Sequence, residues 1–227
     1  MGGGGPRTNA YEFDGTTWTE IPGMPMGRAF CTAATLNGVI YVIAGNQTTN
    51  VFAFDGATWT EVIGYPGGAY AAEALSSAVL NNKIYVIGGV GSSAVYEFDG
   101  ATWTPVESVP NINGIYLATA STLNNKIYVI GGYYTPTNVY SFDGANWTEV
   151  IGLPRNINQM GSTTLGTNIY VIGGDINQTT NVFRFDGTTW TEIEGLPEAV
   201  VGNVALTLNN TIYNIGGNVA SVYTYHE

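Results

Sequence analysis

Side chains able to do covalent or metal chemistry are scarce in this 227-residue sequence. It holds one histidine, the penultimate His226, and one cysteine, Cys31. Nucleophilic triads and zinc centres rest on histidine or on several cysteines, so neither class is available. Cys31 stands between Phe30 and Thr32-Ala33, a setting that suits a buried thiol rather than a reactive one. No glycine-rich loop opens a helix, which removes phosphate cradles. No ligand set for iron or copper is visible, and no cofactor or metal is expected. What remains is binding and proton chemistry. A few charges among aromatic rings can hold a sugar or a polar peptide, and an acid–base pair can move protons on it. The candidates are Arg28, Glu73 and Asp175, with Tyr116, Tyr133, Tyr134 and Asn158.

The elements that must position these residues follow from a repeat. Phe-Asp-Gly begins at residues 13, 54, 98, 142 and 185, a period of about 43. A tryptophan follows each triplet at a fixed offset: Trp18, Trp59, Trp103, Trp147 and Trp190. A small pair precedes each later triplet, and LNNKIYVIGG at 80–89 returns unchanged at 123–132. Each unit reads as four short strands. The first is small and alternating (ATASTL), the second a continuous apolar run (IYVIGG), the third NVYSF-like and the fourth TWTEV-like. Asn-Asn or Asn-Gly joins the first two strands at 37–38, 81–82, 124–125 and 209–210, and Asp-Gly joins the last two, residues that tolerate the backbone of tight hairpins. Turn chemistry also accounts for the five repeated aspartates better than a ring of calcium ligands. A second strand apolar on both faces must be covered on both sides. Radially stacked sheets supply that cover, so the expected fold is an all-β propeller of four-stranded antiparallel blades. The tryptophans and the tyrosine of each Ile-Tyr pair are then packing residues between blades.

The IYVIGG run, the aromatic third strand and the tryptophan in the fourth resemble the kelch repeat, over essentially the whole chain. The Trp-Asp ending of another propeller class is absent, since Trp is always followed by Thr. The kelch acidic-Pro turn is shortened here to Asp-Gly. The resemblance implies that the loops from strand four to the next strand one, and from strand two to strand three, share one face around a channel. Counting back from the glycine pairs puts Arg28, Glu73, Tyr116, Asn158 and Val201 at this mouth, with Gln159 and Asn203 beside them. Tyr133, Tyr134 and Asp175 come from the other loops. Copper oxidases built on related propellers need two histidines and a tyrosine–cysteine pair, which His226 and Cys31 cannot supply. Some kelch propellers are sialic-acid mutarotases, and for that chemistry Glu73 and Arg28 are the candidates.

Residues 1–227 read as one domain that starts midway through a blade. The expected ring has five blades. The closing one is shared between the termini, with strands in residues 200–225 completed by an outer strand at 16–21. One third strand, NAYEF or SVYTY, is surplus, which leaves room for self-association through terminal strands. The rival is a piece of a longer array closed between chains.

Composition bounds the partners. Charged residues are only 10% against 44% apolar, so the chain is globular and Asn, Thr, Ser and Gly must solvate it. A net charge of −11 repels polyphosphate, and no nucleic-acid partner is expected. Without Lys/Arg clusters, an apolar run of membrane length or a leader-like stretch, no membrane contact or signal peptide is expected. Four Asn-X-Thr triplets occur, as chance provides in a sequence rich in both residues. The leading expectation is a non-enzymatic binding or structural module, natural, excised or engineered, with an unidentified protein or carbohydrate ligand and a lean towards a surface or virion setting. The alternatives are a small-sugar mutarotase-like enzyme and a peptide-binding adaptor.

Overall fold

The computed structural model describes residues 6–111, 113–174 and 179–226, and every regular element among them is a β-strand. A hairpin opens the chain, β1 (Ala10–Phe13) and β2 (Trp18–Ile21). The first blade follows as β3 (Thr32–Leu36), β4 (Val39–Ile43), β5 (Val51–Phe54) and β6 (Trp59–Val62). The second is β7 (Ser76–Leu80), β8 (Lys83–Ile87), β9 (Val95–Phe98) and β10 (Trp103–Val106). The third is β11 (Thr119–Leu123), β12 (Lys126–Ile130), β13 (Val139–Phe142) and β14 (Trp147–Val150). The fourth is β15 (Gly161–Leu165), β16 (Asn168–Ile172), β17 (Val182–Phe185) and β18 (Trp190–Ile193). The fifth is β19 (Val204–Leu208), β20 (Thr211–Ile215) and β21 (Val222–His226). Within each blade the strands pair antiparallel in chain order. The five blades form the β-propeller that the repeat predicts.

The turns form for the reasons the residues suggest. Asn81, Asn82, Asn124 and Asn125 all have positive φ, between 49° and 58°, the region Asn tolerates best after Gly. At the other hairpin, Asp99 Oδ1 accepts from the amides of Ala101 and Thr102 at 2.8 and 2.7 Å, and Oδ2 from Thr102 Oγ1 at 2.9 Å. Asp14, Asp55 and Asp186 are bonded in the same way. These bonds hold the aspartates below the ordinary carboxylate value, because they favour the charged form. The repeated Asp is a turn cap.

Cover between blades repeats with the sequence. Ile84, Val86 and Ile87 of β8 are fully buried, as are Ile127 and Ile130 of β12. The tyrosine of one second strand meets the third-strand phenylalanine of the next blade edge-on: Tyr41 on Phe98, Tyr85 on Phe142 and Tyr128 on Phe185, at 5.2–5.5 Å. That phenylalanine stacks on its own blade's tryptophan, as Phe98 does on Trp103 at 4.5 Å. The indole N–H then donates back to the preceding unit, Trp103 to Ile63 O at 3.2 Å and Trp147 to Glu107 O at 2.9 Å. Around the channel, hydroxyls do the same work. Thr122, Thr164 and Thr207 each donate to a backbone carbonyl of the preceding inner strand (Val79, Thr122 and Thr164) at 2.7–2.8 Å. The small first strands let neighbours approach closely enough for this.

Closure departs from the expected arrangement. Strand β2 pairs with β1, in the register Phe13↔Trp18 and Ala10↔Ile21, and does not complete the fifth blade. Strand β21 pairs with β20 alone. The surplus third strand is therefore β1, and it keeps its own partner. A two-residue turn capped by Asp14 closes that pairing at far lower entropic cost than joining strands some two hundred residues apart. The hairpin fills part of the seam between the fifth and first blades. Phe13 lies edge-on to Tyr213 at 5.3 Å, and Trp59 Nε1 donates to Pro22 O at 2.6 Å.

The two tryptophan environments give a direct test. Trp103 is half-buried among Phe98, Tyr65 and the Ile63 carbonyl, whereas Trp18 is 48% exposed and stacks on Phe13. Trp103→Ala is expected to cost about 3 kcal/mol and Trp18→Ala no more than about 1 kcal/mol, read as shifts of the urea midpoint.

Candidate functional site

The connections between successive blades gather at one mouth of the channel. Phe30, Ala74, Leu117, Gln159 and Gly202 occupy equivalent places there, and all have positive φ, between 53° and 71°. A relay of backbone bonds links them. Ala74 N donates to Phe30 O at 2.9 Å, Leu117 N to Ala74 O at 3.4 Å, Gln159 N to Leu117 O at 3.0 Å and Gly202 N to Gln159 O at 2.8 Å. A left-handed conformation costs a non-glycine residue of the order of 1 kcal/mol or more, and the relay holds four such residues in place. Beneath it lies a cavity of about 440 Å³. Its wall is mainly apolar (Phe30, Leu75, Leu117, Met160), with amides from Gln159, Asn203 and Asn218. Cys31 also lines it, and burial pushes its thiol up to about 11, so it stays a neutral thiol at neutral pH.

Glu73 and the tyrosines of this mouth stand just outside this lining, as a rim, and none of them contributes to it. Glu73 and Tyr116 immediately precede Ala74 and Leu117 in the relay, and both are half-buried. Tyr133 and Tyr134 flank Tyr116, with ring centroids 6.2 Å apart for Tyr116–Tyr133 and 5.2 Å for Tyr133–Tyr134. The Tyr116 phenol is raised above the ordinary tyrosine value. Burial is the main cause, followed by the charge of Glu73 and then by the phenols of Tyr134, Tyr133 and Tyr70. The structure thus brings Glu73, Tyr116, Tyr133 and Tyr134 into one electrostatic neighbourhood. It adds Tyr70, which the sequence reading missed although it lies three residues before Glu73 in the same connection. Asn158 shares the repeat position of Tyr116, and its Oδ1 is buried without a hydrogen-bond partner among the described residues. Asp175 lies outside the described residues.

Arg28 belongs elsewhere. The carbonyls of Ala29, Tyr116 and Val201 each accept from the residue after their unit's small pair: Asn46 N at 3.1 Å, Tyr133 N at 2.8 Å and Asn218 N at 3.2 Å. Ala29, not Arg28, is therefore the counterpart of Tyr116. Arg28 takes the place of Ala72, Ile115, Ile157 and Val200, all buried apolar residues. One residue of offset turns a side chain to the opposite side of an extended segment. Arg28 is 5% exposed, its guanidinium carbon 5.0 Å from the Phe52 ring centroid. Nη1 donates to Gly27 O at 3.4 Å, while Nε and Nη2 are buried without partners among the described residues. Desolvation lowers its affinity for the proton. It borders a different cavity, shared with Arg7, Asn9 and Thr48.

What this rim can do is limited and specific. A carboxylate can take a proton, a phenol held above its usual value carries one to give, and exposed rings offer faces to a sugar.

No family model matches this chain, and no curated protein matches it. Among solved structures it is similar to YjhT, with a TM-score of 0.80 and 16% sequence identity over 97% of this chain and 87% of that one. A likeness at that identity is one of fold. The expectation of a non-enzymatic module is withdrawn, and the enzyme alternative is taken up below. The physical reason is that missing histidines and metal ligands remove nucleophilic and metal chemistry, but not proton transfer between a carboxylate, a phenol and a bound sugar.

The coupling of Glu73 to Tyr116 is testable without a substrate. In a pH titration with isotope-labelled tyrosine, assigned by Tyr116→Phe, the Tyr116 phenol is expected to ionise above the ordinary 10.0. Glu73→Gln removes the adjacent negative charge and should lower that value, while burial keeps it above the ordinary one.

Proposed function

We propose that this protein is a kelch-type propeller enzyme that interconverts the anomers of a small sugar at the channel mouth. The observation that carries the reading is the electrostatic coupling of Glu73 to Tyr116 among exposed tyrosines, next to the residues Ala74 and Leu117 that line a largely apolar cavity. The fold likeness to YjhT is compatible with it, and the resemblance to the kelch repeat, some of whose propellers are sialic-acid mutarotases, supports it. The repeat's Ile-Tyr-Val-Ile-Gly-Gly strands and recurrent tryptophans support the kelch assignment.

Anomerisation needs two proton transfers and no cofactor. Glu73 as carboxylate removes the proton of the anomeric hydroxyl, and the electron pair forms the carbonyl as the ring C–O bond breaks. Tyr116, which holds its proton to high pH, delivers it to the departing ring oxygen. Rotation of the open chain and the reverse transfers close the ring on the other face. Tyr133, Tyr134 and Tyr70 supply flat apolar faces to the sugar, and Asn158 and Gln159 supply amides to its hydroxyls. Arg28 is removed from this role by its burial beside Phe52, so selection of a sugar carboxylate does not rest on it.

The test is the rate at which a freshly dissolved single anomer equilibrates, followed by proton NMR or polarimetry over a panel of neutral and acidic sugars. At least one sugar should equilibrate faster than in buffer. Glu73→Gln should lower that rate by about a hundredfold and Tyr116→Phe by about tenfold or more, with melting temperatures unchanged. Buffer-level rates for every sugar, or a fully active Glu73→Gln protein, would refute the assignment.

A further inference from the structure

We propose that the seam between the fifth and first blades is a docking slot for a β segment with this chain's own repeat pattern. The segment comprises the fourth strand of one unit and the first two strands of the next, donated by another polypeptide.

Several apolar positions are more exposed here than their counterparts in other blades. Ile40 is 41% exposed, whereas its counterparts Ile84, Ile127 and Ile169 are at 0%. Val222 is 40% exposed against 1% and 0% for Val95 and Val139. On the opposite wall, Val204 and Leu206 are 40% and 38% exposed, while Ser76 and Ala78 in their places on β7 are at 5% and 7%. Where other units put small residues towards the next blade, this wall carries larger apolar ones. Both backbone edges are open as well. Strand β21 pairs only with β20 and β1 only with β2, whereas the third strand of every complete blade pairs on both sides. Successive inner strands pack closely from β3 through β7, β11 and β15 to β19, with no comparable packing between β19 and β3 among the described residues.

The established blade-to-blade interface identifies the occupant, because it continues to both lips of the slot. The hairpin already presents Phe13 to Tyr213 and the Pro22 carbonyl to Trp59, the contacts one blade gives the next. On the other lip, a cavity of about 250 Å³ is bordered by Glu194, Leu196, Pro197, Tyr223 and Tyr225. Glu194 and Leu196 are the counterparts of Ile63, whose carbonyl accepts from Trp103, and of Tyr65, which packs on that indole. Tyr225 corresponds to Phe98, on which Trp103 stacks. The cavity is therefore a tryptophan seat, with the Glu194 carbonyl as its acceptor. In ring order, what lies between β21 and β1 corresponds to what β18, β19 and β20 supply between β17 and β21. A segment patterned like residues 186–217 would pair with the β21 edge, seat its tryptophan, and cover Val204, Leu206 and Ile40 with its inner hairpin.

The probe is a synthetic peptide of residues 186–217 added to the full chain, alongside a chain extended after its last residue by a second copy of that stretch. Calorimetry should show one-to-one binding, weakened at least tenfold by Trp190→Ala in the peptide. Leu206→Asp in the chain should weaken it similarly, while the same change at Thr60, on the outer strand of the first blade, should not. The extended chain should melt at a higher temperature and no longer bind the peptide. Neither binding nor a raised melting temperature would overturn the proposal. So would equal binding of the Trp190→Ala peptide, or a self-associated chain whose assembly the peptide leaves intact.

Discussion

A second strand with no polar face is the constraint from which this molecule follows. Residues such as Ile84, Ile127 and Ile169 have no exposure at all, and each contributes about 1.5–3 kcal/mol only if apolar groups lie on both sides of its sheet. One blade cannot provide that for itself. The tyrosine-to-phenylalanine contact, the stacked tryptophan and its hydrogen bond to the preceding unit are the means by which each blade covers its neighbour. The same stacking gathers the connections between blades at one mouth, where the backbone relay from Gly202 to Phe30 sets their spacing. The candidate site is thus a product of the cover, since Glu73 comes within electrostatic reach of Tyr116 because Ala74 and Leu117 are adjacent links of that relay.

Much of this was legible in the sequence because its causes are local. Asn81-Asn82 and Asp99-Gly100 select their hairpins by backbone preference and by the carboxylate's bonds to its own turn, and the apolar run of β8 announces burial on both faces. Closure was not legible in that way. The segment around Trp18 carries the same local pattern whether it pairs with β1 or with β21, and only the cost of bringing remote strands together separates the two. Arg28 illustrates a different limit. Connections between blades have no regular period, so a count can fall one residue early, and a single residue moves a side chain from the mouth to a seat beside Phe52. Tyr70 escaped for the converse reason, because an exposed tyrosine in a loop carries no mark until its neighbours are known.

The functional reading changes with what chemistry is taken to require. A chain with one histidine and one cysteine is poorly equipped for nucleophilic or metal-assisted reactions, and this scarcity pointed towards a passive module. Under the proposed reading, sugar anomerisation sets a lower bar, a carboxylate and a phenol, and Glu73 and Tyr116 are the groups proposed to meet it. The few charges of this chain make such a pairing conspicuous. Where Arg28 is buried instead, the fold bears a desolvated cation over an aromatic ring, a departure from four apolar counterparts for which the mouth has no use.

Mutual cover of blades can be measured strand by strand through amide hydrogen exchange of the unmodified protein. If cover from both sides is what stabilises these strands, protection should be highest in β8, β12 and β16, lower in β4 and β20 beside the seam, and lowest in the β1–β2 hairpin. Equal protection of β4 and β12 would contradict the account, because it would mean that a second strand reaches full stability with one of its faces only partly covered.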